Sequence, residues 1–124
     1  MLIVNKESQN ELYLNVAGEH KGVEFELVST GPISSDTAAS SAAAWEDFSG
    51  DGYPDLAIAN NGEESFLYVN DGTGGLSRVV TTFPTDDPST DACWGDFDGD
   101  GKPDLLLTND GKPNRLYSTG HRIA

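Results

Sequence analysis

Two stretches of the chain place carboxylates at alternate positions. One runs Trp45-Glu46-Asp47-Phe48-Ser49-Gly50-Asp51-Gly52-Tyr53-Pro54-Asp55-Leu56. The other, forty-nine residues on, runs Trp94-Gly95-Asp96-Phe97-Asp98-Gly99-Asp100-Gly101-Lys102-Pro103-Asp104-Leu105. Oxygen donors at this spacing suit a hard cation: calcium takes six to eight oxygens at about 2.3–2.6 Å in flexible geometry. In a tight loop, side chains at positions 1, 3 and 5 converge, and Asp96, Asp98 and Asp100 occupy those places. Lys102 at position 7 offers its backbone carbonyl, and Asp104 at position 9 completes the cage. Gly101 stands where a sharp bend would be costly for a residue with a Cβ. The first loop offers Asp47, Ser49, Asp51, the Tyr53 carbonyl and Asp55. Ser49 brings a neutral oxygen, so this first-loop site is expected to bind more weakly. Zinc prefers nitrogen and sulfur, and magnesium demands a smaller, stricter octahedron. An EF-hand is excluded, because the closing acid comes at position 9 rather than 12 and the flanks read as strands. The plain alternative is that these acids cap turns, where Asp and Gly are common.

Composition supports the cation. Asp and Glu number 21 against 7 Lys and Arg, a formal charge of -14, and seven of those acids lie in the two loops. Such clusters repel themselves, and two divalent ions would reduce the -14 to about -10. The same charge repels phosphate backbones, so nucleic acid is not an expected partner. Eleven aromatic residues in 124 argue for a packed fold over disorder, in a chain with room for one small domain. No run of 18 apolar residues is present, so no membrane span is expected. The apolar run near Met1 is too short for a secretory signal, which leaves a cytoplasmic chain, a removed leader or a piece of a longer chain.

The elements that must position the loops read as short strands. Leu56–Ala59 and Leu105–Thr108 are brief apolar runs of the buried-strand kind. Each ends in a turn signal, Asn60-Asn61-Gly62 or Asn109-Asp110-Gly111. Ser65–Asn70 and Asn114–Ser118 are strand-like, Asp71–Gly75 is a hairpin turn, and Leu76–Phe83 reads as a further strand. One unit therefore holds four strands: a (about 42–48), b (56–60), c (65–70) and d (76–83), with the acidic loop joining a to b. The N-terminus carries a worn third copy. Asn5 matches Asn109, Asn10–Tyr13 matches Asn114–Tyr117, and Gly22–Val28 alternates as a strand d. The Ser/Ala-rich stretch 34–43 reads as a loop entering strand a. The chain runs b-c-d, a-b-c-d, a-b-c, with expected units 1–35, 36–84 (loop 47–55) and 85–124 (loop 96–104).

The pattern Trp-x-Asp-Phe-x-Gly-Asp-Gly-x-Pro-Asp-Leu, then Asn-x-Gly, then Asn-x-Leu-Tyr, resembles the FG-GAP and VCBS repeats, which are integrin-α-like β-propeller blades. The resemblance covers about 44–83 and 93–118 well, and 1–30 weakly. It implies an all-β protein of four-stranded antiparallel blades, about two and a half per chain, with calcium in the a–b loops, up to two ions per chain. It also implies an extracellular or cell-surface setting. Two and a half blades fall short of the four to eight of a closed propeller. Two copies would supply six blades, so a homo-oligomer, most simply a dimer, is expected, covering bare sheet edges.

Other residues carry less. Trp45 and Trp94 are read as inter-blade packing, with a carbohydrate platform as the alternative. Tyr68 and Tyr117 are read as structural, and Cys93, which aligns with Ala44, as a small buried residue. His20 and His121 match nothing in the repeat and are not read as catalytic. No G-x-S-x-G, H-E-x-x-H or phosphate loop occurs. The expected role is a non-enzymatic calcium-binding module for protein or glycan recognition, with the 34–43 and 84–91 connections emerging on one face. The alternatives are a structural block of a larger surface protein or, less favoured, part of a lyase or hydrolase.

Overall fold

A computed structural model describes residues 2–17 and 22–119. Among these residues the fold is all-β, in three antiparallel sheets that do not close into a barrel. The first sheet is β1 (Leu2–Ile3), β2 (Glu11–Ala17) and β3 (Val23–Leu27), in that order. A 3-10 turn, Pro32–Ser34, leads into the second sheet: β4 (Ser40–Glu46), β5 (Asp55–Asn60), β6 (Phe66–Asn70) and β7 (Leu76–Arg78). The third sheet is β8 (Ser89–Gly95), β9 (Asp104–Asn109) and β10 (Arg115–Tyr117). This is the arrangement of a partial propeller.

Alternation within the strands decides which faces are buried. Leu56, Ile58, Phe66, Tyr68 and Leu76 point to one face of the second sheet and pack on Leu12 and Ile33. Ala57, Ala59 and Leu67 point to the other and pack on Leu105, Leu107 and Tyr117 of the third sheet. The central strand β5 is buried along its whole length. Each fully buried Leu or Ile there contributes about 1.5–3 kcal/mol. Both copies of strand a shift register at the same place, Ser40/Ala42 and Ser89/Asp91, a local irregularity that turns the strand as it enters the blade.

A three-fold polar clamp holds the b–c turns. Asn5, Asn60 and Asn109 each donate from Nδ2 to the carbonyl four residues on, at 2.7, 2.7 and 2.8 Å. Each backbone N–H is in turn accepted by the side chain five residues on: Asn10, Ser65 or Asn114. The worn N-terminal copy thus keeps the turn chemistry of the other two.

Two expectations need correction. Leu76–Phe83 is not one strand, because β7 stops at Arg78. Phe83 is buried with its ring 4.5 Å from that of Tyr117, so the chain must leave the second sheet to reach the third, and Val80 in transit is exposed. Cys93 is exposed, not buried. It lies on the face of the third sheet opposite the core, beside Leu106, where no further sheet packs among the described residues. His20 and His121 lie outside the described residues.

Candidate metal centre

Both acidic loops fold around their first aspartate. Asp96 Oδ1 accepts from the backbone N–H of Gly99 (2.8 Å) and Asp100 (3.0 Å), and Oδ2 from Gly101 (2.9 Å). Asp47 does the same with Gly50 (2.8 Å), Asp51 (3.1 Å) and Gly52 (2.8 Å). Wrapping the backbone this tightly demands left-handed residues, and Gly52 (φ 91) and Gly101 (φ 84) supply them.

The last aspartate of each loop is buried at the start of strand b. Asp104 Oδ2 accepts from Phe97 N–H (2.9 Å) and Oδ1 from Thr119 N–H (3.2 Å). Asp55 accepts from Ser49 N–H and Asn70 N–H, both at 2.9 Å. Each carboxylate therefore ties its loop to the end of strand c. Burial works to raise the Asp104 carboxyl, but hydrogen bonds from Phe97, Ser118, Thr119 and Asp98 outweigh it and hold the group below the ordinary carboxylate range.

The structure brings Asp96, Asp98 and Asp104 together, with one carboxylate oxygen of each within 4.8 Å of the others. Asp96 and Asp98 are exposed and Asp104 is buried. Asp100 stands outside this trio and accepts from Lys102 N–H at 2.9 Å. Among the described residues, no ion pair supplies a cationic side chain to these carboxylates. The donors are all oxygens and each carboxylate has spare lone pairs, so the set fits a hard cation such as calcium and not zinc. The first loop forms no such acidic trio, because Ser49 stands where the second has Asp98. Ser49 Oγ lies 3.5 Å from Asp47 Oδ1. Tyr53 follows the same pattern as Lys102, its N–H bonded to Asp51 Oδ1 at 2.9 Å.

Sequence reasoning missed the strand-c residues that buttress the loops. Ser118 Oγ donates to Asp98 Oδ2 at 3.3 Å. Thr119 Oγ1 donates to the Pro103 carbonyl, and Asn70 Nδ2 makes the matching bond to Pro54. Asn70 and Thr119 are forty-nine apart, so the repeat itself carried that signal. The two tryptophans, equal in sequence, part company in space. Trp94 stacks on Phe48 at 5.4 Å and packs on the apolar residues between the second and third sheets, whereas Trp45 remains 41% exposed because, among the described residues, the first sheet has no strand a to meet it.

Residues 47–107 match the FG-GAP-like repeat model. Over that segment the chain is similar to the FG-GAP-like repeat family, which supports its class as a β-propeller-like repeat module. Neither a curated protein nor a solved structure matches the chain significantly. Among the described residues no helix is long and apolar enough to cross a membrane.

Proposed function

We propose that this chain is a non-enzymatic calcium-binding repeat module, built of units 1–35, 36–84 and 85–124, whose ions brace the a–b loops. The observation that supports this most is the approach of the Asp96, Asp98 and Asp104 oxygens to within 4.8 Å of one another. Like charges this close repel one another, and a divalent ion would supply the positive charge that offsets the repulsion. Asp96, Asp98, Asp100, the Lys102 carbonyl and Asp104 would hold one ion. Asp47, Ser49, Asp51, the Tyr53 carbonyl and Asp55 would hold a weaker one. Calorimetric titration of chelator-stripped protein tests this: two unequal calcium sites per chain are expected, with the tighter lost in Asp98→Asn. Absence of any calcium heat overturns it.

The recognition surface we assign is the end of the sheets formed by the d–a connections and b–c turns. There Gly62 N–H bonds the Asp87 carbonyl across two units. A groove opens there beside Asn5, Ser8, Gln9, Asn10 and Ser34. The ligand class is a protein or glycan, and an array without binders would count against it. A second reading, self-assembly into a homo-oligomer, is favoured by exposed apolar residues on the outer faces of the first and third sheets.

A further inference from the structure

The faces that would meet in self-assembly can be named from the internal repeat. Within the chain each sheet presents a forward face to the next sheet and a rear face to the one before. The forward face of the second sheet, which the third sheet covers, includes Ala44, Ala57 and Leu67; Ala57 is 1% and Leu67 0% exposed. Forty-nine residues on, the same positions in the third sheet are Cys93, Leu106 and Leu116. They pair across β8, β9 and β10 on one face, and they are apolar. Yet Cys93 is exposed and Leu116 is 55% exposed.

The rear face of the first sheet is its counterpart. Ile3 stands where Leu107 stands in the third sheet, one hundred and four residues on. Leu107 is 3% exposed and Ile3 is 38% exposed. Phe25 pairs with Asn15, two beyond Tyr13, as Leu76 pairs with Asn70, two beyond Tyr68. Leu76 is 7% exposed and Phe25 is 45% exposed. Leu27, on the same face, is 46% exposed.

One molecule thus carries both halves of an interface it already makes twice internally, and each half is left facing solvent. Resting on the self-assembly reading above, we infer that a second copy of this chain docks the Ile3/Phe25/Leu27 face of its first sheet onto the Cys93/Leu106/Leu116 face of the third sheet. The pairing is head-to-tail, and two copies close it reciprocally. A heterologous pair of faces must close in this way or else extend into filaments. Isologous pairing of forward face on forward face is disfavoured, because the internal contacts always oppose unlike faces.

Native mass spectrometry of the 124-residue chain in calcium tests this with two variants, Leu116→Asp and Phe25→Asp. Both side chains are exposed in the single chain, so circular dichroism should show the β fold unchanged. The wild type is expected as a two-copy assembly and each variant alone as a monomer. A mixture of the two variants should recover a dimer, since it restores one intact pair of unlike faces. As an independent readout on the wild type, alkylation of Cys93 should slow about ten-fold between dilute and associating concentrations, by mass action. A wild-type monomer, either variant alone keeping the wild-type mass, or a concentration-independent Cys93 rate would overturn the proposal. The same spectrum counts ions. A monomer retaining calcium overturns the docking and leaves the calcium reading standing. A calcium-free dimer with the variant pattern upholds the docking and overturns the calcium reading.

Discussion

Trp94 reaches across to the neighbouring sheet, and its indole N–H donates to the carbonyl of Ala44, fifty residues earlier, at 3.2 Å. Phe48 stacks on the same indole nearly parallel, at 12°. Trp94 therefore joins two sheets and covers the entry to the first acidic loop. Trp45, its repeat mate, makes no such bridge among the described residues.

Replacing Trp94 by Phe should therefore lower stability by about 1–2 kcal/mol through the lost hydrogen bond and reduced stacking. The same change at Trp45 should lie within about 0.5 kcal/mol, as for other exposed sites. Urea unfolding of the two variants side by side checks the contrast. Equal losses would mean that the inter-sheet bond is worth nothing.

The b–c clamp makes a second contrast. Asn60 is fully buried; it donates to the Glu64 carbonyl and accepts from Ser40 Oγ at 2.8 Å. Asn60→Ala removes the donor to the Glu64 carbonyl and the acceptor of the Ser40 hydroxyl, which keeps only its bond from Asn10 Nδ2 at 3.0 Å, and should lower stability by about 2–4 kcal/mol. Asn5, with an exposed clamp bond, should lose about 1 kcal/mol. Denaturant melts would measure both.

Acid should unfasten the third sheet through Asp87. The Arg115 hydrogen bond holds its carboxyl below the ordinary aspartate value of 3.8, overcoming burial, with Lys112 assisting. Arg115 Nε lies 2.9 Å from Oδ2, and Lys112 Nζ lies 3.6 Å from the otherwise unpartnered Oδ1. A depressed folded pKa means that the stabilising contribution is present above 3.8 and disappears as pH falls through the lower folded value. Asp87→Asn should be less stable at neutral pH, and its deficit should shrink below pH about 4. Thermal melts across that range in chelator test this, since chelation removes calcium binding from the comparison. A deficit constant with pH would refute it.

Ser49→Asp should raise calcium affinity of the first loop, on the order of ten-fold, by restoring the carboxylate that the second loop has. Calorimetry should then show two nearly equal sites. An unchanged weak site would mean that charge at this position does not limit binding.

Much of this was legible because the chain states it twice. Periodicity exposed β5 and β9, β6 and β10, the glycine bends and the Asn60/Asn109 turns. Asn5 and Asn10 were enough to find the degraded first copy. What escaped was what a local pattern cannot encode. β7 ends early because Phe83 is claimed by Tyr117 of another sheet, a contact far along the chain. Cys93 reads as buried by alignment with Ala44, yet burial belongs to whichever sheet lies opposite. Asp55 and Asp104 read as ligands from their spacing, while their backbone bonds to strand c depend on a turn closing beside them.

The two internal contacts also differ in texture. Behind the second sheet lie large side chains such as Ile58 and Tyr68; before it lie small ones, Ala57 and Ala59, against which Leu105 and Leu107 press. Each sheet meets only its neighbours, so stability accrues one contact at a time along the row. A tandem copy of one forty-nine-residue period, spliced in register, would arrive with both surfaces already matched. Gene duplication could lengthen such a protein by whole periods without redesigning any residue, and the near-identical acidic loops bear the stamp of that route.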